Sequence, residues 1–76
     1  MNNDRRKQLS KAFSLIEEAK GILESARDGE QEAYDNMPES MQSSERGEKI
    51  SENADALSTA CDSLDEIISS IEAAQE

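Results

Sequence analysis

The chain has 76 residues, of which 34% are hydrophobic and 3% aromatic, and its formal net charge is −10. A chain of this size builds one small domain with a thin core, which usually needs a disulfide, a metal ion or a second copy for stability. The single cysteine, Cys61, excludes an internal disulfide, and without histidine the chain lacks a set of zinc ligands. We therefore expect oligomerisation, in a reducing compartment such as the cytoplasm.

The charge is unevenly distributed along the chain. Residues 1–20 contain five basic and three acidic side chains, whereas residues 21–76 contain three basic and fifteen acidic ones. Such an acidic chain is repelled by nucleic acid and by anionic membranes, and it is attracted to basic protein surfaces. We expect a protein partner, with no direct nucleic-acid binding and no membrane association. Solubility alone is an alternative explanation of the acids.

The first long helix is predicted from about residue 4 to about residue 36. Asn2, Asn3 and Asp4 each offer a side chain that accepts hydrogen bonds from a first helical turn. Apolar residues then recur in alternating steps of three and four, the heptad pattern of helices that pack along their length. The series is Leu9, Ala12, Ile16, Ala19, Leu23, Ala26, Ala33 and Met37, interrupted at Glu30 and widened by Phe13, Leu15, Ile22 and Tyr34. This apolar arc is wider than one partner helix requires.

A turn is predicted at residues 37–43. Pro38 has no backbone N–H, and its ring clashes with the preceding helical turn, so no helix continues through it unbroken. Met37, which precedes it, is disfavoured in the helical conformation. Ser43 and Ser44 then offer N-caps for a second helix. The two long helices can therefore fold back on each other at this point.

The second long helix is predicted from about residue 44 to about residue 74. Its apolar series, in unbroken steps of four and three, is Ile50, Ala54, Leu57, Cys61, Leu64, Ile68 and Ile71. In an antiparallel hairpin we expect Leu9 to lie near Ile71. We also expect the basic segment Arg5–Lys7 to approach the acids Asp65, Glu66, Glu72 and Glu76.

The predicted fold class is all-α: one antiparallel, coiled-coil-like helical hairpin over residues 1–76. Two helices alone leave part of each apolar stripe in water, so we expect two hairpins to pair into a homodimeric four-helix bundle. The expected core residues are Leu9, Phe13, Ile16, Leu23, Leu57, Leu64, Ile68 and Ile71.

The sequence offers no recognisable catalytic constellation. Cys61 is the strongest nucleophile, but its place on the inner stripe predicts a buried, unreactive thiol. The carboxylates do not follow calcium-loop spacing, and no glycine-rich phosphate loop is present. We therefore expect no enzyme activity, no catalytic residue, no cofactor and no metal.

The turn is the best candidate for a binding site. It combines large apolar side chains with acids around Pro38, and both loops and methionine surfaces often serve recognition. An alternative is that the apolar side chains only cap the end of the hairpin core. The predicted partner-binding residues are Tyr34, Met37, Glu39, Met41, Glu45, Glu48 and Glu52.

The segment from Glu30 to Glu48 resembles a segment of small acidic helical proteins encoded by bacteriophages and prophages. Its Asn-Met-Pro-Glu turn at residues 36–39 is followed by Gln42, by Ser-Glu-Arg at residues 44–46, and by an acidic helix over residues 50–74. The resemblance covers about residues 23–74. It implies a helical hairpin in a phage or prophage setting, hence the cytoplasm of a bacterial host, and it implies no catalytic residues.

Two non-enzymatic functions follow as expectations. The first is an adaptor or regulator that binds a host or phage protein through its helix faces or its turn. The second is a nucleic-acid mimic whose acids occupy the basic groove of a host nucleic-acid-binding or defence enzyme. A mimic needs acids in rows spaced like phosphates, and its binding weakens steeply with salt. A structural piece of a larger coiled-coil assembly is disfavoured because the chain is short.

Overall fold

The computed structural model describes residues 1–75, which form two long helices separated by a short one. Helix α1 spans Asn3–Asp35, α2 spans Glu39–Gln42 and α3 spans Glu45–Gln75. The predicted all-helical class is confirmed, and each bound of the two long helices differs by one residue from the predicted one. The break between them lies around Pro38, as the missing N–H of proline requires.

Local hydrogen bonds explain where α1 begins and ends. The Asn2 side chain accepts a hydrogen bond from the backbone N–H of Arg5 (2.9 Å), which satisfies one free donor of the first turn. At the other end, the N–H of Asn36 donates to Glu32 (2.9 Å) and that of Met37 donates to Tyr34 (3.1 Å). The helix therefore closes its last turn immediately before the proline.

The long helices pack side by side in a body of 58 × 15 × 13 Å. Helix α3 contributes the inner series predicted from its sequence, of which Ala54, Cys61 and Ile68 are buried; Gly47, one step of three before Ile50, is buried as well. No residue of α1 is fully buried. A thin seam between two helices is consistent with the low hydrophobic content of the chain.

The inner series predicted for α1 is partly wrong. Ala19, Ala26 and Ala33 are exposed, whereas Lys20 and Arg27 are half-buried at the seam. The half-buried positions in steps of four and three are Leu9, Phe13, Ile16, Lys20, Leu23, Arg27, Glu30, Tyr34 and Met37. Long basic side chains occupy such positions because their methylene stems cover apolar surface while their charged ends stay in water.

Two side-chain contacts and one shared groove fix the antiparallel register. The Lys20 ammonium lies 2.5 Å from a carboxylate oxygen of Asp65, and the Asn53 amide donates to the Glu30 carboxylate (3.3 Å). Near the other end, Phe13 and Gln75 line one shallow groove. This register places the last turn of α3 beside Phe13.

Two pairings predicted for the first turns of α1 are therefore wrong. They are Leu9 beside Ile71, and Arg5–Lys7 beside the acids Asp65, Glu66 and Glu72. Because Lys20 lies opposite Asp65, Ile71 lies beside a part of α1 that is about one helical turn C-terminal to Leu9. The segment Arg5–Lys7 extends past Gln75, and among residues 1–75 no ion pair joins it to α3. The Arg6 guanidinium instead donates to the carbonyl of Met1 (3.2 Å). The predicted contact with Glu76 lies outside the described residues.

Within residues 1–75, no helix combines the length and the apolar character that crossing a membrane demands.

Candidate protein-binding surfaces

The tip of the hairpin, residues 36–47, is held together by hydrogen bonds between its backbone and polar side chains. The Gln42 side chain donates to the carbonyl of Tyr34 (3.0 Å) and so ties α2 to the end of α1. The Ser44 hydroxyl donates to the carbonyl of Met41 and accepts from the N–H of Gly47 (3.3 Å). Ser44 therefore caps α3, as expected from its position before the helix.

Gly47 allows the tip to close. It is buried in the first turn of α3, where a methyl group on its Cα would lie 2.5 Å from the Met41 carbonyl oxygen and 2.7 Å from the Gln42 carbonyl carbon. Ordinary van der Waals contact begins at about 3.4 Å. Only glycine lets the backbone of α2 approach α3 so closely.

The predicted partner-binding residues divide into two groups. Tyr34 and Met37 are half-buried, because they continue the inner series of α1. Met41 is 44% exposed and is the large apolar side chain that the tip presents to solvent. The acidic members, Glu39, Glu45, Glu48 and Glu52, are all exposed. The structure thus gives Tyr34 and Met37 a packing role and leaves Met41 and the four acids accessible.

Three of those acids belong to a longer line along α3, the acid row. Its members recur in steps of three and four, with one gap at Thr59, and all are exposed. They are Glu45, Glu48, Glu52, Asp55, Asp62 and Glu66. Successive steps advance about 4.5–6 Å along the helix, except across the gap. No ion pair among residues 1–75 involves the acid row.

The opposite flank of each helix is apolar. In an antiparallel pair, the residues that immediately precede the inner positions of both helices lie on the same side. We call this side the apolar face; it consists of Ala12, Leu15, Ala19, Ile22, Ala26, Gly29 and Ala33 of α1 and Asn53, Ala56, Ala60, Ser63, Ile67, Ser70 and Ala74 of α3. None of these residues is charged, although the next two positions of the α3 flank toward the tip, Lys49 and Arg46, are cationic. Leu15, Ile22 and Ile67 are 56%, 64% and 45% exposed, respectively.

A groove lined by both helices shows that the apolar flanks of α1 and α3 lie on the same side of the hairpin. Ala26 and Gly29 of α1 line it together with Asn53 and Ala56 of α3, and Glu30 and Leu57 of the seam form its floor. It has a volume of about 460 Å³ and opens to solvent. A side chain added at Gly29 would meet no atom within 4 Å. The groove is therefore available to an apolar group from outside the hairpin.

The cations near the middle of α1 are associated with acids on the side away from the apolar face. Lys20 contacts Asp65 and Glu24, and Arg27 donates to Asp28 (3.1 Å). The hydrogen bond to Asp65 raises the pKa of Lys20 above its ordinary value. The charged ends of these pairs are screened by solvent, so the pairs stabilise the fold only weakly, and they lie on the side away from the apolar face.

The sequence analysis recognised that the apolar arc of α1 is too wide for one partner helix, but it did not separate that arc into two faces. The alanines of α1 were assigned to the inner series, but together with Leu15, Ile22 and Gly29 they form a second series of their own. It has the same steps of three and four and is offset by one residue from the inner positions. Two interleaved series of this kind indicate a helix with two packing faces.

Among residues 1–75, no three metal-ligating side chains are gathered in one place. Comparisons with protein-family models, curated proteins and solved structures found no match for this chain.

Proposed function

We propose that this chain is a non-enzymatic, protein-binding helical hairpin: an adaptor or regulator that recognises a partner with a basic surface. The observation that carries the proposal is the junction of the tip and the acid row. There, exposed Met41 lies on a short helix that packs against α3, next to the exposed acids that begin the row. An apolar contact with a polar rim is the usual arrangement of a small protein interface.

The construction of the tip favours binding there. Gln42 ties α2 to α1, and Gly47 lets α2 lie directly on α3, so Met41 and Glu39 stand on an ordered backbone. An ordered segment loses less conformational entropy on binding than a flexible loop. Carboxylates beside it attract a basic partner and raise the rate of encounter.

The proposal includes self-association. Ala54, Cys61 and Ile68 are the buried apolar side chains of residues 1–75, which is a small core for a chain of this length. Pairing two hairpins into a four-helix bundle would bury further apolar surface. We propose a homodimer in the cytoplasm of a bacterial host. The phage or prophage setting is supported by the resemblance at the Asn-Met-Pro-Glu turn alone.

The acid row favours a second candidate, a nucleic-acid mimic. Six exposed carboxylates lie between residues 45 and 66 of α3, a rise of about 32 Å along the helix. Phosphates of one DNA strand follow each other about every 3.4 Å along the axis, which is denser than the steps of about 4.5–6 Å in the row. The row also has a gap at Thr59. The lower charge density makes the adaptor the better-supported function.

Tip and row substitutions separate the two candidates. The full chain, immobilised, is used to capture proteins from bacterial lysate at low and high salt, and each captured protein is then tested in purified form. For an adaptor we expect Met41→Ala and Glu39→Lys to reduce capture at least tenfold. Glu18→Lys, on the outer side of α1, makes the same charge change away from the tip and is expected to have little effect.

The opposite pattern would contradict the adaptor. It consists of unchanged capture by the tip variants, together with loss of capture on Asp55→Asn, Asp62→Asn and Glu66→Gln and a steep fall with salt. That result would support the mimic, whose binding depends on many ionic contacts. Far-UV circular dichroism of each variant must show unchanged helicity.

A further inference from the structure

We propose that a second copy of this chain docks on the apolar face, with the two hairpin tips at opposite ends of the dimer. The inference rests on the proposed dimerisation and adds to it the surface, the orientation and the register. In this arrangement the large side chains of each copy enter the groove of the other around a two-fold axis near Ile22.

The two ends of the apolar face have complementary shapes. Leu15 of α1 and Ile67 of α3 project at one end, and the register set by Lys20 and Asp65 places them within about one helical turn of each other. The groove lined by Gly29 and Ala56 lies at the other end. The end of the apolar face with Leu15 and Ile67 therefore projects, whereas the end with Gly29 and Ala56 is recessed.

The spacing of these features is symmetric about Ile22. Leu15 and Gly29 are each seven residues from Ile22, or about 10.5 Å along α1 in opposite directions. On α3, the pairs Lys20–Asp65 and Glu30–Asn53 put the level of Ile22 at residues 61–63, so Ile67 lies four to six residues from it on one side and Ala56 five to seven on the other. A two-fold axis through this level, perpendicular to the helices, brings Leu15 of one copy over Gly29 of the other. Such a self-complementary patch is what an isologous interface requires.

Charge also selects a second copy as the occupant. Each chain carries a net charge of −10, so two copies repel each other wherever their carboxylates meet. The residues of the apolar face are uncharged, and the acid row lies elsewhere on α3. The carboxylate that lines the groove, that of Glu30, accepts a hydrogen bond from Asn53. Two copies can therefore approach closely on the apolar face without direct carboxylate repulsion. The small residues of both helices permit close packing of the helices across it.

The available area is sufficient for a dimer. The face extends over about 30 Å of helix and is two helices, or about 20 Å, wide. Two such faces bury about 1,200 Å² in total, at the lower limit of stable interfaces. We expect a dimer that forms at micromolar concentration and exchanges readily.

Two glycines provide a matched test. Gly29 lies in the groove of the apolar face, Gly21 lies on the acidic side of the same helix, and a side chain at either meets no atom within 4 Å in the hairpin. Gly29→Leu and Gly21→Leu therefore raise the helix propensity alike. Sedimentation equilibrium is expected to show dimers for the wild type and Gly21→Leu, and at least tenfold weaker association for Gly29→Leu.

A cross-link tests the symmetry axis. In the proposed arrangement Ile22 faces its own counterpart, so Ile22→Cys is expected to form a disulfide-linked dimer under mild oxidation. Ser25→Cys, exposed on the outer side of α1, is the control and is expected to remain unlinked. The wild-type thiol Cys61 is buried and is common to all variants.

The outcomes distinguish the two proposals. A wild-type chain that is helical and monomeric at the highest concentrations contradicts the homodimer itself, and the docking with it. A wild-type dimer that Gly29→Leu leaves as stable as Gly21→Leu, or in which Ile22→Cys and Ser25→Cys link at equal rates, contradicts the docking while the homodimer stands.

Discussion

Replacing Gly47 by alanine tests the close contact that shapes the tip. The new methyl group would lie 2.5 Å from the Met41 carbonyl oxygen and 2.7 Å from the Gln42 carbonyl carbon. Both distances are shorter than the 3.4 Å at which ordinary contact begins, and both atoms belong to the backbone, so α2 must move away from α3. Forcing an extra methyl group into a packed site of this kind costs about 1–3 kcal/mol.

The helix propensity acts in the opposite direction. Alanine in place of glycine stabilises a helix interior by about 0.5–1 kcal/mol. Gly21→Ala makes the same change where no atom lies within 4 Å, so it gains the propensity without the clash. We therefore expect Gly47→Ala to have a free energy of unfolding about 1–3 kcal/mol below that of Gly21→Ala.

The assay is urea unfolding followed by far-UV circular dichroism. The variants are compared at one protein concentration, because dimerisation makes stability depend on concentration. Equal stability of the two alanine variants would refute the argument, since it would mean that α2 does not rest on Gly47. A lower slope with urea for Gly47→Ala would indicate that the variant unfolds from a less compact native state.

Three further results are expected. Ile68→Ala is expected to lower the free energy of unfolding in urea by about 2–5 kcal/mol, because the Ile68 side chain is buried. Ile67 is 45% exposed, so Ile67→Ala is expected to lower it by less than about 1 kcal/mol per chain and mainly to weaken self-association in sedimentation. Equal losses for the two variants would contradict the assignment of Ile68, and not Ile67, to the seam. Because the pKa of Lys20 is raised above 10.5, its pair with Asp65 stabilises the fold below pH 10.5, and this contribution is lost as the pH rises through the folded-state pKa. The melting temperature of Lys20→Met is therefore expected to fall less at alkaline pH than that of the wild type. Identical pH profiles for the two chains would contradict a stabilising role of the pair. Cys61, 4% exposed, should react with a thiol reagent on the order of a hundredfold more slowly in the native chain than in urea, and fast native labelling would show that the seam is open.

Local signals allowed much of the fold to be predicted from the sequence. Pro38 determines where α1 must end, because its missing N–H and its ring act within one turn. The inner series of α3 is unambiguous because the residues beside Ala54, Cys61 and Ile68 are mostly small or acidic. The helix bounds therefore followed from Pro38 and the capping side chains, and the packing face of α3 followed from periodicity.

The packing face of α1 could not be predicted in the same way. Two series with identical steps lie one residue apart on this helix, one containing Lys20 and Arg27 and the other containing Ala19 and Ala26. Hydrophobicity favours the alanines, whereas the folded hairpin places the longer side chains at the seam. Which series faces α3 is determined by packing between the helices, which periodicity does not include.

The tip could be predicted only in part. Methionines and acids near a proline are visible in the sequence, but the role of Gly47 depends on how close α2 comes to α3. That distance is a tertiary feature. The partner-binding residues Met41, Glu39 and Glu45 therefore remain predictions whose test is the behaviour of tip variants in partner capture.

The mass of the species that the wild-type chain forms in solution tests most directly whether the hairpin has a second packing face, the apolar face, that pairs two copies. Light scattering coupled to size exclusion, over a range of micromolar loading concentrations, is expected to show a helical species approaching twice the mass of one chain. Raising the salt concentration should strengthen the dimer, because the interface is apolar and the repulsion between two chains of charge −10 is screened. A fully helical species that keeps the mass of one chain at every concentration and salt would contradict the proposal.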